Sequence, residues 1–322
     1  MRTRDLLDVR MCDLDLRIEG TWLEDAVGRL RTELDRAGLR RFRPHTWLCD
    51  EWCSPDDIPG IGVPFYLAHP RLMRLERQMM FEVEGGTRSE CMRLLRHEAG
   101  HALQHAYQLQ RRRRWQREFG LASTPYPDFY NPNPLSKSYV EHLDGWYAQA
   151  HPVEDFAETF AVWLSPSSKW RQRYAEQPAI RKLEYMDSLA SELADKKPSV
   201  RSRARPYALS TLRHSLRKHY ESRKAHYGPG FSDQYDRDLG KIFGDGQAHP
   251  DNETAASFLR RHRRQIREQV ARFTGQYQFT IDQVLGDIIG RCRELGLRLT
   301  TSEREAKASF AVMLTVHTVH LL

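Results

Sequence analysis

The chain has 322 residues, 40% of them hydrophobic and 29% charged, which fits a soluble globular protein of two modest domains or one large one. It contains no apolar run of roughly 18 residues, so no spanning helix is expected, and the acids in MRTRDLLDVRMCDLD argue against a secretory leader. The five cysteines (Cys12, Cys49, Cys53, Cys91, Cys292) are scattered and odd in number, which suits free thiols in a reducing cytoplasm rather than a disulfide frame.

The net charge of +7 is unevenly placed. Residues 1–200 hold 29 Lys+Arg against 30 Asp+Glu, and residues 201–322 hold 21 against 13. A basic last third could serve an acidic partner or nucleic acid; a solvated basic helical surface is the simpler reading.

In chain order, Leu14, Leu16 and Ile18 alternate within 13–19 and predict a half-buried strand. Thr21 and Glu24 form a capping box for a helix whose face is Leu23, Ala26, Val27, Leu30 and Leu34, with Gly38 suited to its end. Short strands are expected at 45–49, 61–67 and 78–84, punctuated by Gly60, Gly85 and Gly86. Thr87 and Glu90 form a second capping box, opening a strongly patterned helix that runs to about Gln110. Residues 119–138, rich in Pro, Asn, Ser and Tyr, read as a long loop of the kind that is often functional. Pro152 suits the first position of the next helix, which Ser165-Pro166 should end. Another helix is expected at 179–195, then a linker at 199–206, then helical stretches at 207–226, 252–273, 279–296 and 302–321, with the apolar tail docked as a helix.

Two segments carry chemistry. HEAGH places His97 and His101 four residues apart with Glu98 beside the first, and EDFAE places Glu154 and Glu158 four apart. On helices, each pair shares a face. A catalytic zinc takes three protein ligands and a water, so His97, His101 and either Glu154 or Glu158 would complete a site. Glu98 is then placed to take a proton from the water and pass it to the leaving amine. The remaining glutamate would orient a ligand histidine. The small Ala99 and Gly100 would let a neighbouring helix approach closely. For stabilising an oxyanion, Tyr147 and His151 lie just upstream, and Tyr147 could equally be a packing aromatic beside Trp146.

The stretches PFYLAHPRLMRLE, LRHEAGHALQHAY and LDGWYAQAHPVEDFAETFAVWL resemble the bacterial family of putative zinc-binding metallopeptidases, over about residues 13–195. In its HExxH helix and downstream ligand helix the chain resembles a gluzincin-type zincin, and the EDFAE run is similar to the third-ligand helix of anthrax lethal factor. That resemblance implies a zincin-like fold, Zn2+ as cofactor and peptide or protein substrates. It also implies Glu154 as ligand, Glu158 behind it and Tyr147 as oxyanion donor. The chain departs from thermolysin-like enzymes in having Glu158 where they have Asp, and in placing Glu154 53 residues after His101.

Other signals are weaker. His105 reads as a helix-surface or core histidine, and Cys91 as a small buried hydrophobe. His45, Cys49 and Cys53 have loose metal-like spacing but lack a second ligand pair. Arg111–Arg114 suits a helix C-terminus, and RRHRRQIREQ at 260–269 lacks a metal finger or interleaved aromatics. Zincin-like folds place an edge strand beside the active helix; because Pro64 limits ladder bonding in 61–67, residues 78–84 are the favoured edge.

The expected fold is therefore α+β and helix-rich. A zincin-like zinc metallopeptidase domain at 1–198, with a small mixed sheet, precedes a basic helical accessory domain at 207–322. The expected location is cytoplasmic, with no membrane association. The rival expectations are a zinc-binding regulatory protein with little peptidase activity, and a nucleic-acid-associated protease.

Overall fold

Capping residues and prolines decide where this chain turns into helix. The structure, a computed structural model, describes residues 3–127, 130, 132–227 and 235–321. A short helix α1 (Thr3–Leu7) precedes α2 (Trp22–Arg36), then strands β1 (His45–Cys49) and β2 (Gly60–Pro64). Helices α3 (Pro70–Met80), α4 (Arg88–Tyr107), α5 (Arg113–Phe119), α6 (Pro152–Leu164), α7 (Trp170–Arg173) and α8 (Ile180–Leu193) follow. The last third holds α9 (Leu216–Tyr227), α10 (Asp236–Ile242), α11 (Ala255–Thr274), α12 (Gln278–Glu294) and α13 (Glu303–Leu321). No helix among the described residues is long and apolar enough to cross a membrane.

The capping box of α4 is complete: Glu90 N donates to Thr87 Oγ1 at 3.2 Å, and Thr87 N donates to Glu90 Oε2 at 3.1 Å. At α6, Pro152 occupies the first turn, where its missing N–H is not needed. The long loop expected at 119–138 is irregular over its described part beyond Phe119, with residues 128, 129 and 131 outside the described residues.

Two compact units divide the chain: residues 1–76 with 83–216, and residues 77–82 with 217–322. The segment 199–206, expected as a linker, is tied to the first unit. Ser199 N and Val200 N both donate to Ala106 O, at 2.9 and 3.1 Å, and His45 Nε2 bonds Ala204 O at 2.9 Å.

The sheet corrects three expectations. It is a two-stranded parallel pair, His45↔Gly60 through Cys49↔Pro64, rather than mixed; antiparallel partners are isolated bridges such as Cys53↔Gly62 and Cys49↔Ala208. Residues 13–19 alternate in burial as expected yet pair with no strand: a 3-10 turn (Met11–Asp13) leads into irregular backbone, with Asp15 at φ 46°. Residues 78–84 form no edge strand. The buried stripe Leu72, Leu75, Glu76 and Met80 has helical spacing and carries α3 through Met80, where Phe81 at φ 68° ends it.

In the first unit, α4 and α6 approach closely. A Cβ added at Gly100 would lie 2.8 Å from Ala157 Cα and 3.1 Å from Ala157 O. A buried ion pair docks α2 on α4: Arg96 Nε and Nη2 lie 2.7 and 2.8 Å from Glu33 Oε2 and Oε1. On the other side of α6, Lys182 Nζ of α8 lies 2.6 Å from the buried Asp155 Oδ2.

The second unit has its own core, with Leu239, Phe258, Leu259, Ile266, Ile281, Leu285, Ile288, Phe310 and Leu314 from α10–α13. Much of its basic character is internally paired. Arg263 and Arg267 reach Asp282 at 2.7 and 3.2 Å, Arg261 reaches Glu253 and Glu303, and Arg264 reaches Glu268. These contacts give Arg261, Arg263, Arg264 and Arg267 of α11 acidic partners within the unit, and the nucleic-acid expectation finds no support.

Glycine substitutions test the helix approach. Gly100→Ala should lower stability by about 1–3 kcal/mol, and the unfolding temperature with it, because the new methyl meets backbone and cannot be accommodated by a rotamer. Gly28→Ala, in α2 with nothing within 4 Å of the added carbon, should instead gain about 0.5–1 kcal/mol from helix propensity. Thermal unfolding of both variants checks the sign. Glu33→Ala should cost about 3–5 kcal/mol by stranding the buried Arg96 charge, read in the same unfolding experiment.

Candidate metal centre

The helical period places His97 and His101 on one face of α4, and Glu154 and Glu158 on one face of α6. Where the two faces meet, three donor atoms converge. His97 Nε2 and His101 Nε2 are 3.0 Å apart, and each lies 3.2 Å from Glu154 Oε2. Among the described residues this is the one group of His, Cys, Asp and Glu side chains gathered closely enough to hold a metal ion.

The donor set fits zinc. Tetrahedral bonds of about 2.0–2.1 Å imply donor–donor separations of about 3.3–3.4 Å, close to the 3.0–3.2 Å found here. Two imidazole nitrogens and one carboxylate oxygen are also a borderline-soft set of the kind zinc takes.

Glu158 stands behind the donors. Its Oε1 lies 2.8 Å from His97 Nδ1, and its Oε2 accepts from Leu143 N at 2.8 Å. With a metal bound, a proton on Nδ1 donated to Glu158 would leave the Nε2 lone pair free for the ion. Glu158 is fully buried, so its carboxylate is held from both ends with no freedom to swing.

The electrostatics are those of a crowded, desolvated pocket. Burial opposes a charge on His97, but hydrogen bonds to Glu154 and Glu158 outweigh it and raise its pKa to about 10. Burial likewise opposes charge on Glu154, and there the neighbouring His101 and His97 win, holding it below the usual carboxylate range. Glu98 is raised, chiefly by burial. Its carboxyl makes no hydrogen bond among the described residues and sits in the field of His97, His101 and Glu154. His101 is the most open of the three donors, at 13% side-chain exposure against 4% for His97 and 7% for Glu154, so access to the cluster lies on its side.

Tyr147 lies on a 3-10 segment (Asp144–Gln149) that Gly145 and Trp146 kink with positive φ. Its ring centroid is 5.7 Å from that of His97. Burial, then the charges of Glu154 and Glu98, raise its pKa, so the hydroxyl keeps its proton. His151, the other upstream candidate, is occupied elsewhere: it is the N-cap of α6, accepting from Val153 N through Nδ1.

The remaining candidates lie apart from the donors. His105 accepts from Asp57 N at 3.4 Å and faces Asp56 at 3.7 Å. His45 stacks on Trp47. Cys49 and Cys53 both border the space above Gly62. Cys91 is fully buried, and burial pushes its pKa up to about 12. In the arginine run, Arg112 pairs with Glu192 and Arg114 bonds Ser188. One residue was not legible as part of the site: Tyr126, whose hydroxyl donates to Glu154 Oε1 at 2.7 Å. It lies in the long loop, where no periodicity reports the direction of a side chain.

No curated protein and no solved structure compared with the chain matches it. Residues 87–196, from the cap of α4 to just beyond α8 and so including every donor above, match the model of the family described as "Putative zinc-binding metallo-peptidase".

Proposed function

We propose that the chain is a zinc-dependent peptidase, with His97, His101 and Glu154 holding the metal in a gluzincin-type arrangement within a zincin-like first unit. The observation that carries this reading is the triangle of three donor atoms at 3.0–3.2 Å, assembled from two helices and braced by Glu158. The family match over residues 87–196 supports it. Substrates would be peptides or proteins.

Zinc held by these donors would supply Lewis acidity toward a peptide carbonyl and a water molecule. The chain's own groups do the rest. Glu98, buried beside the donors and with its pKa raised, accepts the proton of the attacking water and delivers it to the amine nitrogen as the C–N bond breaks. Tyr147 donates its hydroxyl proton as a hydrogen bond to the carbonyl oxygen as negative charge develops there. Glu158 fixes the His97 ring, so that the imidazole reaches the metal without reorganising.

Two sets of measurements test these roles. Glu98→Gln should retain zinc and lose about 10²–10⁴-fold in turnover on a peptide library. Equal turnover of the two zinc-loaded proteins would favour a zinc-binding protein with little peptidase activity. In metal analysis, Glu154→Ala should fail to retain zinc, whereas Glu158→Ala should bind it about 10–100-fold more weakly; the reverse ranking would exchange the two assignments. Tyr147→Phe should keep its zinc and lower kcat by about 10²–10³-fold, and unchanged kcat would return Tyr147 to a packing role.

A further inference from the structure

We propose that Tyr126 is a positioning residue for the Glu154 carboxylate, and that His151 holds Tyr126 in place, so that the loop before α6 sets the geometry of the carboxylate ligand. This rests on the reading of His97, His101 and Glu154 as metal donors.

A carboxylate can meet a cation through one oxygen or two, and can rotate between these modes. The two oxygens of Glu154 are used differently. Oε2 faces both histidine nitrogens at 3.2 Å, and Oε1 accepts the Tyr126 hydroxyl at 2.7 Å. A phenol on Oε1 ties up that oxygen, stops rotation of the group and leaves Oε2 as the donor.

A half-exposed tyrosine on irregular backbone would not by itself be a firm anchor; Tyr126 is 57% exposed. Its ring, however, lies flat on the His151 ring, 3.8 Å between centroids and 12° from parallel. His151 is itself locked. Nε2 donates to Thr124 O at 2.7 Å, and Nδ1 accepts from Val153 N at 3.3 Å. That pattern commits both ring nitrogens and fixes the tautomer. One imidazole therefore ties the loop at Thr124, caps α6 two residues before the donor's own neighbour Val153, and supports the ring whose hydroxyl orients the donor. Tyr147 differs in kind: its hydroxyl makes no hydrogen bond among the described residues, although its ring lies 5.7 Å from His97. The two tyrosines thus divide the work, one holding the ligand and one left for the reacting oxygen.

The test is zinc affinity of the full chain by chelator competition, with the unfolding temperature of the metal-free protein measured alongside. Tyr126→Phe keeps the stacked ring and removes only the hydroxyl. It should weaken zinc binding about 10–100-fold, lower the metal-free unfolding temperature by no more than the loss of one hydrogen bond accounts for, and alter the visible absorption of the cobalt-substituted protein, which reports ligand geometry. His151→Asn keeps a helix-capping side chain but removes the ring, and should weaken zinc in the same direction. Zinc bound by Tyr126→Phe as tightly as by the wild type would overturn the inference and leave the metal site standing. A wild-type protein that binds no zinc would overturn both.

Discussion

Two helices bring short rows of side chains together most tightly where their backbones nearly touch. Here that place is the contact of Gly100 with Ala157, too close for a β-carbon on the glycine. The four metal-facing and bracing residues are disposed about it by the same offsets on both helices. His97 and His101 stand three before and one after Gly100; Glu154 and Glu158 stand three before and one after Ala157. The small residue inside each motif is thus what allows the four side chains to meet. It draws the helix axes together, and the period of the helix then turns two pairs of side chains into one cluster.

Around that crossing, each element contributes restraint from a different direction. The Arg96–Glu33 pair fixes α4 from the α2 side, and Lys182–Asp155 fixes α6 from the α8 side. The segment between α5 and α6 then supplies what helices cannot: a backbone N–H from Leu143 to Glu158, the Tyr147 ring beside His97, and the Tyr126 hydroxyl on Glu154. A long irregular stretch is suited to this, because its groups can approach the cluster from outside the helical faces.

What could be read from the sequence was what depends on short-range periodicity. The capping box at Thr87 and Glu90, the proline at the start of α6, and the paired spacing in HEAGH and EDFAE all act within a few residues, and their structural outcomes appear where expected. Strand pairing depends on partners far away in sequence, and there reading succeeded only in part: 45–49 is β1 and 61–67 overlaps β2, whereas two other expected strands are absent among the described residues. Leu14, Leu16 and Ile18 alternate, but no strand lies alongside. The residues of 78–84 look β-like in isolation, yet 78–80 complete a helix begun at Pro70 and Phe81 turns the chain out of it. The Tyr126–Glu154 contact spans 28 residues across a loop and has no local signature at all.

The cluster also has a cost to the fold. Folding gathers Glu98, Glu154 and Glu158 with His97 and His101 into a volume nearly closed to water, where three acidic groups face two imidazoles. Hydrogen bonds offset part of that crowding: Glu154 and Glu158 both meet His97, Glu158 accepts from Leu143 N, and Glu154 accepts from the Tyr126 hydroxyl. Glu98 makes none among the described residues, and burial raises its pKa. On this account the buried polar groups flanking the crossing add less to stability than well-packed apolar side chains at the same positions would.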